Sequence, residues 1–152
     1  MKKLIQGIFL SLVAITAQAQ IDQTKLIKTS ETFGDYTVYY NVFNSTKLTP
    51  AIADAYQLVR GNDRALVNIS LVKTENSKTS LGKPAKVSGN TKNLMQQTQT
   101  LTFVEIKEGD ATYYLAPFVF NNEDVLHFNI DVRTEDNSQP MSFTFSRTLY
   151  TE

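Results

Sequence analysis

"VLHFNIDVR" (125–133) and "MSFTFSRTLY" (141–150) decide the fold class. In the first, Leu126, Phe128, Ile130 and Val132 alternate with His127, Asn129, Asp131 and Arg133. In the second, Met141, Phe143 and Phe145 alternate with Ser142, Thr144 and Ser146. Neighbouring side chains on a strand point to opposite faces, so this period of two predicts strands with one buried and one solvated face. Working upstream, "TQTLTFVEI" (98–106) and "ATYYLAPFVF" (111–120) read as strands joined by a Gly-Asp hairpin in "KEGDA". "ALVNISLV" (65–72) sets Val67, Ile69 and Leu71 against Asn68 and Ser70, and "TVYYNVF" (37–43) is the first clear strand. "GKPAKVSGN" (82–90) adds a short strand, expected at a sheet edge because of Pro84. Otherwise residues 73–97, rich in Lys, Ser, Thr, Asn and Gln, read as a long loop or weak strand.

One segment departs from the β pattern. "LTPAIADAYQLVRG" (48–61) offers Thr49 as N-cap, Pro50 at the first helical position and Gly61 beyond the end. The expected helix, Ala51 to Val59, presents Ile52, Ala55, Tyr56 and Val59 on one face for docking on the sheet. Strand runs separated by turn signals, with one small helix and no βα alternation, predict an all-β, immunoglobulin-like β-sandwich of about seven strands with one short helix. A small closed β-barrel is the alternative, because periodicity fixes faces but not closure.

The first twenty residues, MKKLIQGIFLSLVAITAQAQ, follow the secretory pattern. Lys2 and Lys3 precede an apolar run, Leu4 to Ile15, and Ala17-Gln18-Ala19 supplies the small residues of a cleavage site before Gln20. The run is shorter than the roughly 20 residues a spanning helix needs. The sequence therefore predicts a signal peptide at 1–19, export to the periplasm, no membrane span after cleavage, and one domain over 20–152. That remainder has 133 residues and 13 Lys and Arg against 15 acids. It lacks the basic clusters that nucleic acid or anionic lipid requires. The absence of cysteine removes disulfides, thiol nucleophiles and Cys-metal sites together.

"FGDYTVYYNVFNS" (33–45) carries apolar or aromatic residues on both strand faces. Tyr36, Val38, Tyr40 and Val42 share one, and Thr37, Tyr39, Asn41 and Phe43 the other. Cover by the helix, an exposed aromatic platform and a partner-docking surface all use such material, and cover by the helix is the favoured reading. Within 31–72, Phe33-Gly34-Asp35-Tyr36, Tyr40-Asn41, Phe43-Asn44, Leu48-Thr49-Pro50, Ala55-Tyr56, Arg60 and "RALVNIS" (64–70) carry a resemblance. On these residues the chain resembles domain-of-unknown-function family 4426, a group of small exported bacterial proteins. The resemblance runs over nearly the whole chain after the leader. It implies a periplasmic β-sandwich and no assigned activity.

The chemistry is sparse. His127 is the only histidine, and Asp131 on the same strand face lies about 13 Å away at roughly 3.3 Å per residue, too far to share a metal ion. No serine stands in a G-x-S-x-G turn, and no glycine-rich phosphate loop occurs. The reading is therefore a non-enzymatic binding or protein-interaction module that needs no cofactor. Its expected contact surface is Tyr39, Asn41, Arg60, Arg64 and Asn68, facing an envelope protein, with the oligomeric state left open. The alternative is a small-molecule or carbohydrate binder using exposed Tyr rings around a concave pocket. A hydrolase with an acidic pair comes third.

Overall fold

Two Gly-Asp pairs make the same tight turn in different places. The computed structural model describes residues 27–152; the predicted leader and its cleavage point lie outside the described residues. Gly34-Asp35 joins β1 (Ser30–Phe33) to β2 (Tyr36–Asn44), and Gly109-Asp110 joins β7 (Val104–Glu108) to β8 (Ala111–Val119). Each glycine has a positive φ, +60° and +57°, at the first central position of a two-residue loop. That backbone twist matches the twist of the flanking strands and is costly for a residue with a Cβ.

The remaining strands are β3 (Arg64–Glu75), β4 (Lys78–Thr79), β5 (Lys86–Lys92), β6 (Thr98–Leu101), β9 (Asp124–Thr134) and β10 (Asn137–Leu149). All pair antiparallel. One sheet runs β1-β2-β3-β8-β7 with β4 attached to β3; the other runs β10-β9-β5-β6. Both sheets keep free edges, so the fold is an immunoglobulin-like sandwich and the closed barrel does not hold. The shared core takes Val38, Tyr40, Val67, Ile69 and Leu71 from the first sheet, and Phe128, Ile130, Val132, Met141, Phe143 and Phe145 from the second. The alternation of 125–133 and 141–150 is thus realised, with His127, Asn129, Ser142 and Thr144 exposed.

Three expectations need correction. The stretch 98–106 is not one strand: β6 belongs to the second sheet and β7 to the first, with Leu101 buried before the switch. The strand after Pro84 is not at an edge, because β5 lies between β9 and β6. Pro84 precedes it, at the crossover, where its missing N–H costs no ladder bond. Residues 73–97 hold β4, β5 and a two-residue turn, Asn76-Ser77, in which both φ values are positive.

The helix α1 (Pro50–Ala55) is shorter than expected. Thr49 does cap it, its Oγ1 accepting from the Ile52 N–H at 3.4 Å. The chain leaves the helix through Gln57 at φ +55°, four residues before Gly61. The buried face is also different: Ala53 and Leu58 are buried, while Ile52 and Val59 are exposed. Ala53 and Leu58, with the expected Tyr56 partly buried beside them, pack with Phe43, Leu66 and Leu115 on the outer surface of the first sheet. The helix therefore covers only the Phe43 end of the doubly apolar strand.

Candidate functional site

On that outer surface the register sets Tyr39 opposite Ser70 and Asn41 opposite Asn68. Tyr39 is 48% exposed, and the Asn68 Oδ1 atom is buried without a hydrogen-bond partner. Arg64 shares the face by strand parity, but the Phe43–Leu66 pair under the helix stands between it and Asn68. Arg60 donates to the Thr46 carbonyl at 3.1 Å, and Arg64 lies 3.8 Å from Asp63. The five predicted contact residues form two groups, Tyr39-Asn41-Asn68 and Arg60-Arg64, on either side of the helix contact.

The polar face of the second sheet does bring a serine to the histidine. Ser146 stands opposite His127, with Oγ 2.6 Å from Nδ1. Both are exposed on a sheet surface, and Asp131 bonds Ser142 rather than orienting the ring. A nucleophile–base pair also needs an orienting group and a site for the developing oxyanion. No such arrangement accompanies this pair. Among the described residues no three His, Asp or Glu side chains gather as metal ligands.

Two hollows lie at opposite ends of the sandwich. At one end the sheets part around a cleft of about 680 Å³, lined by Tyr36, Lys83, Ala85, Lys86, Arg133 and Thr134, with Pro84 and Glu135 to Asn137 completing the wall. Its far wall is the crossover from β3 to β5. That segment first continues along the first sheet, as the Ser80 and Lys83 N–H groups donate to the Lys73 and Leu71 carbonyls at 2.8 and 2.7 Å. At Gly82 a Cβ would lie 2.4 Å from the Thr112 carbonyl oxygen, so only glycine permits this approach. Pro84 then ends the pairing, and the free Ala85 N–H donates to Tyr114 Oη at 2.6 Å. That hydroxyl in turn donates to Glu105 Oε2 at 3.3 Å. Burial, with the Glu105 charge nearby, raises the Tyr114 phenol above its ordinary 10.0 even though the Ala85 bond works the other way.

Two residues that line this cleft carry buried hydroxyls with no partner. Tyr36 is 8% exposed, and its Oη, like Thr134 Oγ1, is buried and unbonded. Leaving a buried hydroxyl unpaired costs on the order of 1–3 kcal/mol, so two such groups in one opening mark a place where hydrogen-bonding partners are wanted. Lys73, opposite Tyr36 in the register, holds its Nζ 5.4 Å from the Tyr36 ring centroid and 2.5 Å from Glu75 Oε1. The Glu75 hydrogen bond raises the Lys73 pKa above 10.5, with a smaller contribution from Asp136.

The opposite end has a smaller hollow of about 420 Å³ around Thr91, Asp63, Asn93, Gln99 and Asp124. Thr91 is fully buried, and its Oγ1 also lacks a partner. No lysine or arginine lines this end.

The family model for the domain of unknown function DUF4426 matches residues 30–152. Among solved structures, a DUF4426 family protein from Pseudomonas aeruginosa PAO1 is similar at 31% identity, covering 81% of this chain and 94% of that one, with a TM-score of 0.71. FetP of uropathogenic Escherichia coli strain F11, recombinantly expressed in the periplasm, is similar at 11% identity over 81% of this chain and 93% of that one, TM-score 0.56. A copper-bound variant of FetP gives 11%, 81%, 95% and 0.58. At that identity the likeness to FetP is one of fold. No curated protein matches the chain.

Proposed function

The chain belongs to the DUF4426 family, and on that premise we propose that it is a non-catalytic, periplasmic module that binds a small ligand in the Tyr36 cleft. One observation carries the reading: Tyr36 and Thr134, whose hydroxyls are buried and unpartnered, both line the same 680 Å³ opening. Pockets of a few hundred Å³ with apolar walls and a few convergent polar groups are the usual form of small-molecule sites. Tyr36 is the tyrosine that lines it, though the most exposed tyrosines, Tyr39 and Tyr150, lie elsewhere. The secretory pattern of residues 1–19 supports the periplasmic location, and no helix among the described residues is long and apolar enough to cross a membrane.

The copper held by the FetP variant does not transfer on residues. This chain has a single histidine and no cysteine, and His127 lies on an exposed sheet face bonded to Ser146. Soft or imidazole-rich donor sets suit copper, and none assembles among the described residues. A protein-contact role rests on Tyr39 beside the Asn41–Asn68 pair, where the buried Asn68 oxygen lacks a partner.

The test is a thermal-shift screen of a small-metabolite library against the purified protein, repeated with Tyr36→Phe and Tyr39→Ala. Hits lost in Tyr36→Phe and kept in Tyr39→Ala support the cleft. Hits kept in Tyr36→Phe, or lost only in Tyr39→Ala, refute it.

A further inference from the structure

An open sheet edge is a row of unpaired N–H and C=O groups that recruits another strand unless shortness, charge, proline or a bulge protects it. Here β1 is four residues containing Glu31, β4 is two residues beginning at Lys78, and β7 carries Glu105, Lys107 and Glu108. The short β6 turns its Gln99 side chain to the first sheet, where it bonds the Val119 N–H and carbonyl at 3.1 and 2.7 Å. β10 is the exception. It ends the second sheet, is 13 residues long, and reads MSFTFS from Met141 to Ser146 without a charge. Pro140 precedes this window and Arg147 follows it.

Two observations give the direction of its backbone groups. In an antiparallel pair, successive residues turn both groups to one side and then to the other. The Ser146 carbonyl accepts from Arg147 Nη1 at 2.8 Å, and the same guanidinium donates to the Lys28 carbonyl, ahead of β1 and no part of the second sheet. A Cβ on Gly89 would lie 2.4 Å from the Asn129 carbonyl oxygen, so Asn129 turns its groups to β5 and away from Thr144, its partner in β10. Both place the N–H and C=O of Ser142, Thr144 and Ser146 on the open side. Among the described residues no turn or loop backbone bonds to Ser142 or Thr144. The Tyr40 stack and Arg147 close the seam between the two sheets here and leave this row unpaired.

We propose that β10 pairs antiparallel with β10 of a second copy of this chain, joining two second sheets into one across a two-fold axis at Thr144. The window is its own complement. About that axis Thr144 faces Thr144 and Ser142 faces Ser146, so hydroxyls meet hydroxyls on the outer surface and no like charges oppose. On the inner surface Phe143 faces Phe145 of the second copy, which extends a stack whose two rings already lie 6.1 Å apart. Pro140 and Arg147 fall beyond the stretch 142–146 and set its limits. A foreign extended peptide could use the same edge, but the self-matching rows favour a second copy.

The experiment combines sedimentation of the purified protein from about 10 μM to about 1 mM with amide exchange followed residue by residue by NMR. A dimer is expected at the upper end. The Ser142 and Thr144 amides should exchange more slowly as concentration rises, while those of Phe143 and Phe145, turned to β9, stay slow throughout. Thr144→Lys sets two ammonium groups face to face, and Thr144→Pro deletes one outward N–H. Each should weaken the dimer about tenfold or more and leave the monomer folded, because neither removes a bond to β9. Thr98→Lys, on the β6 edge, should leave the dimer unchanged. A monomer over the whole range overturns the proposal, as does a dimer that either Thr144 variant leaves intact. A Thr144 amide that exchanges slowly at every dilution of a monomer shows that the chain covers its own edge, and overturns it too.

Discussion

Tyr36 and Tyr40 stand four residues apart on the same face of β2, and both rings are buried, at 8% and 2% exposure. Tyr40 is held on every side. Its ring stacks on Phe145 at 4.4 Å and contacts Phe143 at 5.0 Å, and Phe145 stacks on Phe128 at 4.7 Å. The Arg147 guanidinium lies 5.8 Å from the Tyr40 ring and 5.0 Å from that of Phe145. It donates to the Ser146 and Lys28 carbonyls and so closes the edge between β10 and the segment leading into β1. Tyr36 has the lysine face-on but no partner for its hydroxyl. One residue type on one strand face thus makes a sealed edge and, about 13 Å along, an opening. The difference teaches that the aromatic stack which secures the sandwich stops short of the cleft, so the proposed binding can be tested separately from stability.

Replacing Tyr40 with Ala removes a central ring from the stack and should cost about 3–5 kcal/mol, as for other buried aromatics, read by denaturant unfolding. A loss below about 1 kcal/mol would show that the stack does not seal the edge. Tyr114→Phe orphans the Ala85 N–H and should cost about 1–3 kcal/mol. It should also weaken ligand binding by loosening the crossover wall, an effect Tyr40→Ala would not share at temperatures where it stays folded. Arg147→Ala, losing a partly desolvated cation–π contact and two carbonyl bonds, should cost about 1–2 kcal/mol. Tyr36→Phe should raise stability by about 1 kcal/mol, since it deletes a buried hydroxyl that bonds nothing in the protein.

The smallest effect is in alkali. Burial, then the Glu31 charge, raises the Tyr40 phenol above 10.0, while Lys28 and Arg147 work in the opposite direction. The folded pKa is the higher one, so this contribution is complete below the unfolded value near 10.0 and disappears as pH rises through the folded value. Ultraviolet titration should show Tyr40 and Tyr114 ionising above the ordinary tyrosine value of 10.0, with stability falling over that range. Early ionisation of Tyr40 would contradict the sealed edge.

Much of this architecture was legible in the residues. Strict alternation in β9 and β10 fixed which side chains enter the core, and Gly109-Asp110 fixed a hairpin, because both are local rules. The switch of sheets after Leu101 was not legible, since β-rich residues continue through Thr102 and Phe103 and pairing partners lie far away in sequence. The helix face misled for a related reason. Ile52 and Val59 are larger than Ala53, yet the shallow surface beside Phe43 and Leu66 admits the alanine and Leu58. Tyr36 was grouped with Val38, Tyr40 and Val42 on one strand face, and that face is the inward one, but a pattern of faces does not say where two sheets part. A signal was present in Lys73, a cation at the inward parity of β3 after Ile69 and Leu71, which marks where the core gives way to solvent.

The most direct measurement is chemical-shift mapping of the labelled protein titrated with a small-metabolite fraction from the bacterial envelope. The account predicts perturbed amides at Tyr36, Ala85 and Thr134, unmoved ones at Tyr40, Phe145 and Arg147, and loss of the response in Tyr36→Phe. Perturbation confined to Tyr39, Asn41 and Asn68, with the cleft silent, would contradict it.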